Sequence, residues 1–213
     1  MSHFLNPTSP NSPNTEIDFV ESCRSIDKLK VLGVESLKDI EIIRILQANH
    51  DDSLKAVNDI VDLLNWRKDM NYEKVLSAEY PEYCQSILYL YDFTPCGSPI
   101  IVYKAKNHTP LTDDVDMIMK SSIALMGNIQ RKHNNPQVIL LFDKEGATKD
   151  NVNIALAKQT ISLFTKFFPE TLKELLVFPS NFLLYSLWSV LKPFMDPVTV
   201  VKVKLIYIGF DSW

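Results

Sequence analysis

The sequence predicts an α/β fold: a mixed β-sheet covered by helices and preceded by a lobe made of helices alone. Three observations carry this expectation. Between residues 16 and 70 the apolar residues recur at helical spacing, and from Ile87 the period changes to two or to unbroken runs of β-formers. From residue 138 onward strand-like and helix-like runs alternate as β-α-β-α-β, an order that requires crossover connections onto a parallel portion of sheet.

The elements follow in order. Residues 1–15 hold an Asn-Pro-Thr-Ser-Pro-Asn-Ser-Pro-Asn run, too polar and too broken by proline to bury anything, and read as a flexible tail. Ile42, Ile43 and Leu46 line one helix, and Leu54, Val57, Ile60, Val61 and Leu64 line the next, which Asp51 and Asp52 open and which ends near Trp66 or Arg67. Residues 87–92 and 100–104 form a hairpin that turns through Pro95 and Gly97. Thr112, Asp113, Asp114 and Asp116 then open a helix that closes at Arg131 and Lys132, so that both ends complement the helix dipole. Strands follow at 138–142, 175–178 and 203–208, separated by a helix carrying Val152 to Phe167 and by an apolar helix at 182–194.

Composition limits the function. A net charge of −4 from 22 basic and 26 acidic residues gives no general attraction to nucleic acid. Cys23, Cys84 and Cys96 leave one thiol unpaired in any disulfide scheme and have no C-x-x-C spacing, which suits a reducing compartment such as the cytosol. The N-terminus has neither the basic start nor the apolar core of an export signal. Five scattered glycines build no phosphate-cradling loop, and no G-x-S-x-G elbow is present. His3, His50, His108 and His133 lack the spacing of metal ligands and are expected on surfaces or loops. The acids at 113–116 read as a helix start, and Asp143, Glu145 and Gly146 as a polar turn.

The anomaly is the 182–194 helix, Phe-Leu-Leu-Tyr-Ser-Leu-Trp-Ser-Val-Leu-Lys-Pro-Phe, in which Ser186, Ser189 and Lys192 form one narrow polar stripe. A helix so apolar either lies deep in a core or touches something other than water on both sides, a bound apolar ligand on one and a membrane on the other. Just beyond it, Asp196 and Pro197 start a short helix that places Thr199 and Lys202 on one side. That pair suits a phosphate, or else simply caps and solubilises the helix.

Phe168-Pro-Glu170, the strand to Phe178, the apolar helix and the string Lys-Pro-Phe-Met-Asp-Pro-Val-Thr-Val-Val-Lys at 192–202 together resemble the CRAL-TRIO domain of phosphatidylinositol transfer proteins and of retinaldehyde- and tocopherol-binding proteins. Weaker likenesses agree in order. These are Ile43-Arg44-Ile-Leu-Gln-Ala48, Asn65-Trp66-Arg67-Lys68, Cys96-Gly97-Ser98-Pro99 and the turn from Asp143 to Gly146. The resemblance implies an N-terminal helical lobe at 16–75 and a lipid-binding domain at 76–213, whose mixed sheet floors an apolar pocket. It further implies a gate helix with Phe182, Tyr185, Leu187, Trp188, Leu191 and Phe194 at the pocket, and a lipid headgroup held by Glu170, Thr199 and Lys202. Two features depart from the pattern. Gln47 and Asn49 stand where phosphoinositide-binding members carry arginines, and the chain stops at Trp213 directly after the last strand, which implies either a more open pocket or an incomplete chain.

The expected function is binding of one phospholipid or other hydrophobic small molecule and its exchange with a transiently contacted membrane, phosphatidylinositol being one candidate. A monomeric, cytoplasmic, peripherally membrane-associated protein is expected, with no catalysis, cofactor, metal or nucleic acid. The alternative is a protein-interaction module on the same fold.

Overall fold

In this computed structural model residues 13–134, 136–179 and 188–206 are described, and residues 1–12 of the expected tail lie outside them. The chain divides into two compact units, one ending at Lys68 and one starting at Asp69.

The first unit is wholly helical: α1 (Pro13–Ser25), α2 (Asp27–Leu32), α3 (Asp39–Ala48) and α4 (Ser53–Asp69). Its core is apolar, with Cys23, Leu29, Ile42 and Ile60 fully buried. Turns between helices are fixed by polar groups. Arg24 reaches the carboxylates of Glu35 and Asp39 as well as the Leu37 carbonyl, and Glu41 accepts both the Lys38 amide and the Arg67 guanidinium. Asp52 accepts the Lys55 amide at 3.2 Å, so an aspartate starts α4 as its sequence position requires. Arg44 is buried in α3, whereas Gln47 donates to Glu16 and Asn49 donates to Asp59 and to the Ile45 carbonyl.

The second unit begins with two six-residue helices, α5 (Tyr72–Ser77) and α6 (Glu82–Ile87), and continues as β1 (Leu88–Phe93), β2 (Pro99–Lys104), α7 (Val115–Lys132), β3 (Val138–Asp143), α8 (Ile154–Phe167) and β4 (Leu172–Phe178). Residues 188–191 are helical, and α9 (Pro197–Val201) leads to β5 (Val203–Leu205). The sheet is mixed, in the order β1-β2-β3-β4-β5, with β1 antiparallel to β2 and the remaining pairs parallel. The β2–β3 and β3–β4 pairs are parallel because α7 and α8 supply crossovers long enough to carry the chain back to the same end of the sheet.

Capping explains the boundaries. Asp114 accepts the Met117 amide to start α7, Asn153 accepts the Leu156 amide to start α8, and Asp196 accepts the Thr199 amide to start α9. Gly127 of α7 allows α5 to lie close, since a Cβ there would run into the Tyr72 hydroxyl and stand 2.6 Å from a Leu76 methyl. Its apolar neighbours Ile123, Ala124 and Ile129 belong to the buried face of α7.

Candidate functional site

β3 has a hydrogen-bonded neighbour on each side and is apolar through Phe142, the pattern of a strand covered on both faces. Only Val138 is fully buried; Ile139, Leu140, Leu141 and Phe142 are half-buried. Leu175 and Leu176 of β4 are half-buried as well, and of all α8 only Leu156 is fully buried. Aromatic rings pack along these elements: Tyr103 stacks on Phe142 at 4.9 Å, and Phe164 on the buried Phe168 at 5.0 Å. Burial, with the nearby Asp113 charge adding to it, pushes the Tyr103 hydroxyl up to about 12.

At the end of the sheet where β4 and β5 begin, the structure brings two of the three expected headgroup residues into contact. Lys202 Nζ lies 3.0 Å from Glu170 Oε2, with 18% and 27% of the two side chains exposed. The Lys202 carbonyl accepts the Leu175 amide, so the lysine is fixed at the entry to β5. Glu170 is held by Gln137, which donates to its carbonyl, and it sits at φ 52°, a left-handed conformation that side chains other than glycine seldom adopt. Thr199 lies one helical turn before Lys202, whose amide donates to the Thr199 carbonyl. The Thr199 hydroxyl donates to Asp196 Oδ2 at 2.6 Å and its amide to Oδ1 at 2.7 Å. Burial works to raise the Asp196 pKa, but these hydrogen bonds outweigh it and the carboxyl ends below its ordinary range. Thr199 therefore spends its hydroxyl and amide on the Asp196 cap in this arrangement, while Lys202 and Glu170 form a half-buried cation and anion pair.

Of the expected gate residues, Phe182, Tyr185 and Leu187 lie outside the described residues. Trp188 and Leu191 are half-exposed, and Phe194 is 50% exposed with Lys158 Nζ 4.2 Å above its ring.

One histidine departs from expectation. His108 is not a surface residue: it is 1% exposed, with Nδ1 3.0 Å from Asp113 Oδ2. Asp113 also accepts the Thr109 amide, closing a five-residue loop that folds the ring inward. His50 and His133 are exposed. Lys144, unremarked in the sequence, donates its ammonium to the Pro179 carbonyl at 3.0 Å and its amide to the Phe178 carbonyl, tying the ends of β3 and β4 together. Burial holds its ammonium pKa below the ordinary value. Among the described residues no group of three or more His, Cys, Asp or Glu side chains could hold a metal ion, and no helix is long and apolar enough to cross a membrane. The three thiols are free, Cys23 and Cys84 buried and Cys96 exposed.

These features have counterparts in known proteins. A CRAL-TRIO domain-containing protein of Schizosaccharomyces pombe is 34% identical over 65 residues, 30% of this chain and 15% of that protein. The phosphatidylinositol transfer protein CSR1 of Eremothecium gossypii is 23% identical over 121 residues, 56% of this chain and 28% of that protein. The chain thus matches less than a third of the length of either relative. The crystal structure of Sfh5 superimposes with a TM-score of 0.71 at 17% identity, covering 94% of this chain and 82% of that one, which shows a shared fold. The family described as CRAL/TRIO domain matches residues 83–208, from the first turn of α6 through β5 and beyond all the candidate headgroup and gate positions. The chain belongs to the CRAL/TRIO domain family.

Proposed function

We propose that the protein binds one lipid against the incompletely buried apolar residues of β3, β4 and α8 and exchanges it with membranes, without catalysing a reaction. The observation that carries this reading is the central strand β3, which is apolar and flanked on both sides yet leaves Ile139 to Phe142 incompletely covered. In a domain core such a strand is closed over; here its surface fits an apolar ligand. An acyl chain laid there removes methylenes from water at about 0.8 kcal/mol each, so a single chain supplies ample affinity. β4 runs seven residues, roughly 20 Å at about 3.3 Å per residue, which separates a polar end at Glu170 and Lys202 from the far edge of the floor.

The headgroup reading is an inositol phosphate. Lys202 would meet the phosphate, Glu170 would turn from the ammonium to ring hydroxyls, and Thr199 would rotate its hydroxyl from Asp196 to the phosphate. The name of the Eremothecium relative supports this choice. In this reading the lipid-binding domain starts near residue 76, Trp188, Leu191 and Phe194 belong to the gate together with Phe182, Tyr185 and Leu187, and the protein works as a cytoplasmic monomer that contacts membranes transiently.

Native mass spectrometry of protein purified from cells, followed by lipid extraction, tests the reading. A co-purified lipid of one-to-one stoichiometry is expected. No such lipid, together with no uptake from liposomes, would overturn it in favour of a protein-interaction module. Lys202→Ala should weaken phosphatidylinositol uptake about 10- to 100-fold, as loss of a charge-assisted hydrogen bond does, and leave a neutral sterol or retinoid unaffected. Equal loss of both ligands would make Lys202 a structural residue only.

A further inference from the structure

Lys158 lies on α8 with its ammonium over the Phe194 ring, and among the described residues it has no carboxylate partner and no hydrogen bond. The ring it covers belongs to a stretch with an unusual surface. Val190, Phe194, Val198 and Val201 are all exposed, the last at 77%, and Lys192 is exposed beside them. The one acid between residues 188 and 201 is Asp196, whose two oxygens are engaged by Thr199. A protein of net charge −4 therefore presents, along the described residues 188–201, large apolar side chains accompanied by cations and by no acid other than the engaged Asp196. That chemistry fits the interface of an anionic lipid bilayer, where apolar groups enter the acyl boundary and lysines meet phosphates and carboxylates.

We infer that Lys158 is a latch on Phe194 that an anionic membrane surface opens. An ammonium above an exposed aromatic ring shifts an equilibrium about two- to five-fold, and the attraction of one lysine to an anionic leaflet is of the same size. The two attractions compete for one cation. Away from a membrane Lys158 holds the 192–194 turn to α8; at an anionic surface it turns to lipid headgroups, and the uncovered Phe194 enters the interface with Val198 and Val201. Lys158 is thus a positioning residue, acting on exchange through Phe194 and not by touching the bound lipid. The inference rests on the lipid-exchange reading above.

The test measures transfer of a fluorescent phospholipid by the full chain between neutral phosphatidylcholine vesicles and between vesicles that also contain phosphatidylserine. Lys158→Met keeps the apolar stem and removes the charge. Wild type should transfer faster with phosphatidylserine at low salt and lose that gain at high salt. Lys158→Met should transfer about two- to five-fold faster than wild type on neutral vesicles and gain nothing from phosphatidylserine. Where wild type transfers lipid, an unchanged neutral rate, or an undiminished gain, overturns the latch. Amide hydrogen exchange over residues 192–201 gives a second readout: it should rise in Lys158→Met alone and in wild type on phosphatidylserine vesicles. If exchange rises so while no lipid is transferred on any vesicle, the latch stands and the lipid-exchange reading falls; if exchange does not change, the latch falls.

Discussion

Helices α7 and α8 are both crossovers of one sheet, yet they are buried to very different degrees. α7 sets eight residues fully out of water, among them Ile118, Ile123, Met126 and Ile129, while α8, no less apolar, sets only Leu156 there. β2 and β3 differ in the same sense. Ile101 and Val102 are fully buried, whereas the four residues after Val138 are not. The difference separates what holds the fold from what is available to a ligand. Around α7 the core is closed and its shape is fixed by close contact; along α8 and β3 apolar side chains are left incompletely covered, which a folded domain rarely tolerates in quantity without a use for it.

The largest effect should come from the closed side. Ile123→Ala, at a position 1% exposed, should destabilise the domain by about 2–5 kcal/mol in urea unfolding, through lost transfer energy and the cavity left behind. Gly127→Ala comes next: the added methyl meets Tyr72 and Leu76 of α5, and a loss of about 1–3 kcal/mol is expected from overpacking. A loss near zero at either position would break the claim that α7 packs a rigid core.

Smaller changes probe the open side. Asp196→Ala removes the α9 cap and should cost about 0.5–2 kcal/mol at neutral pH. The Asp196 carboxyl is lowered in the folded state, so its contribution is present above its ordinary value of 3.8 and is lost as the pH falls through the lowered one. The stability gap between Asp196→Ala and wild type should therefore close on acidification below that value, as followed by circular dichroism. Leu163→Ala on α8 should cost only about 1 kcal/mol in ligand-free protein, because the side chain is half-exposed, and more once lipid covers it. Thiol labelling reads the contrast with the least perturbation. At neutral pH Cys96 should react while Cys23 and Cys84 stay protected; burial raises both, Cys23 to about 11, with Arg24 pulling the other way and only partly offsetting it.

Much of this was legible in the sequence because it is written locally. The strand at 138–142 is observed as Val138–Asp143, and Asp52 and Asp196 sit where a helix start needs a carboxylate. The mixed sheet followed from the alternation of periods. The six-residue helices α5 and α6 were not legible, since fewer than two turns carry no period to read. His108 was misjudged because its burial depends on how the next five residues close on Asp113, and the Lys158–Phe194 contact joins residues 36 positions apart, 194 less 158, which no local pattern encodes. Lys202 and Thr199 were legible as a pair from their spacing, Glu170 only from the motif resemblance, and geometry then showed Lys202 beside Glu170 and Thr199 engaged by Asp196.

The left-handed backbone at Glu170 has a consequence for anyone engineering this protein. Replacing a side-chain-bearing residue at φ 52° by glycine relieves conformational strain of order 1 kcal/mol, so Glu170→Gly is a variant that selection for heat resistance would favour. It would also leave Lys202 without its carboxylate. Thermal improvement at this position would thus cost the Glu170–Lys202 pair, and a screen scored on melting temperature alone would enrich sturdy proteins that have lost the polar end of the proposed lipid site.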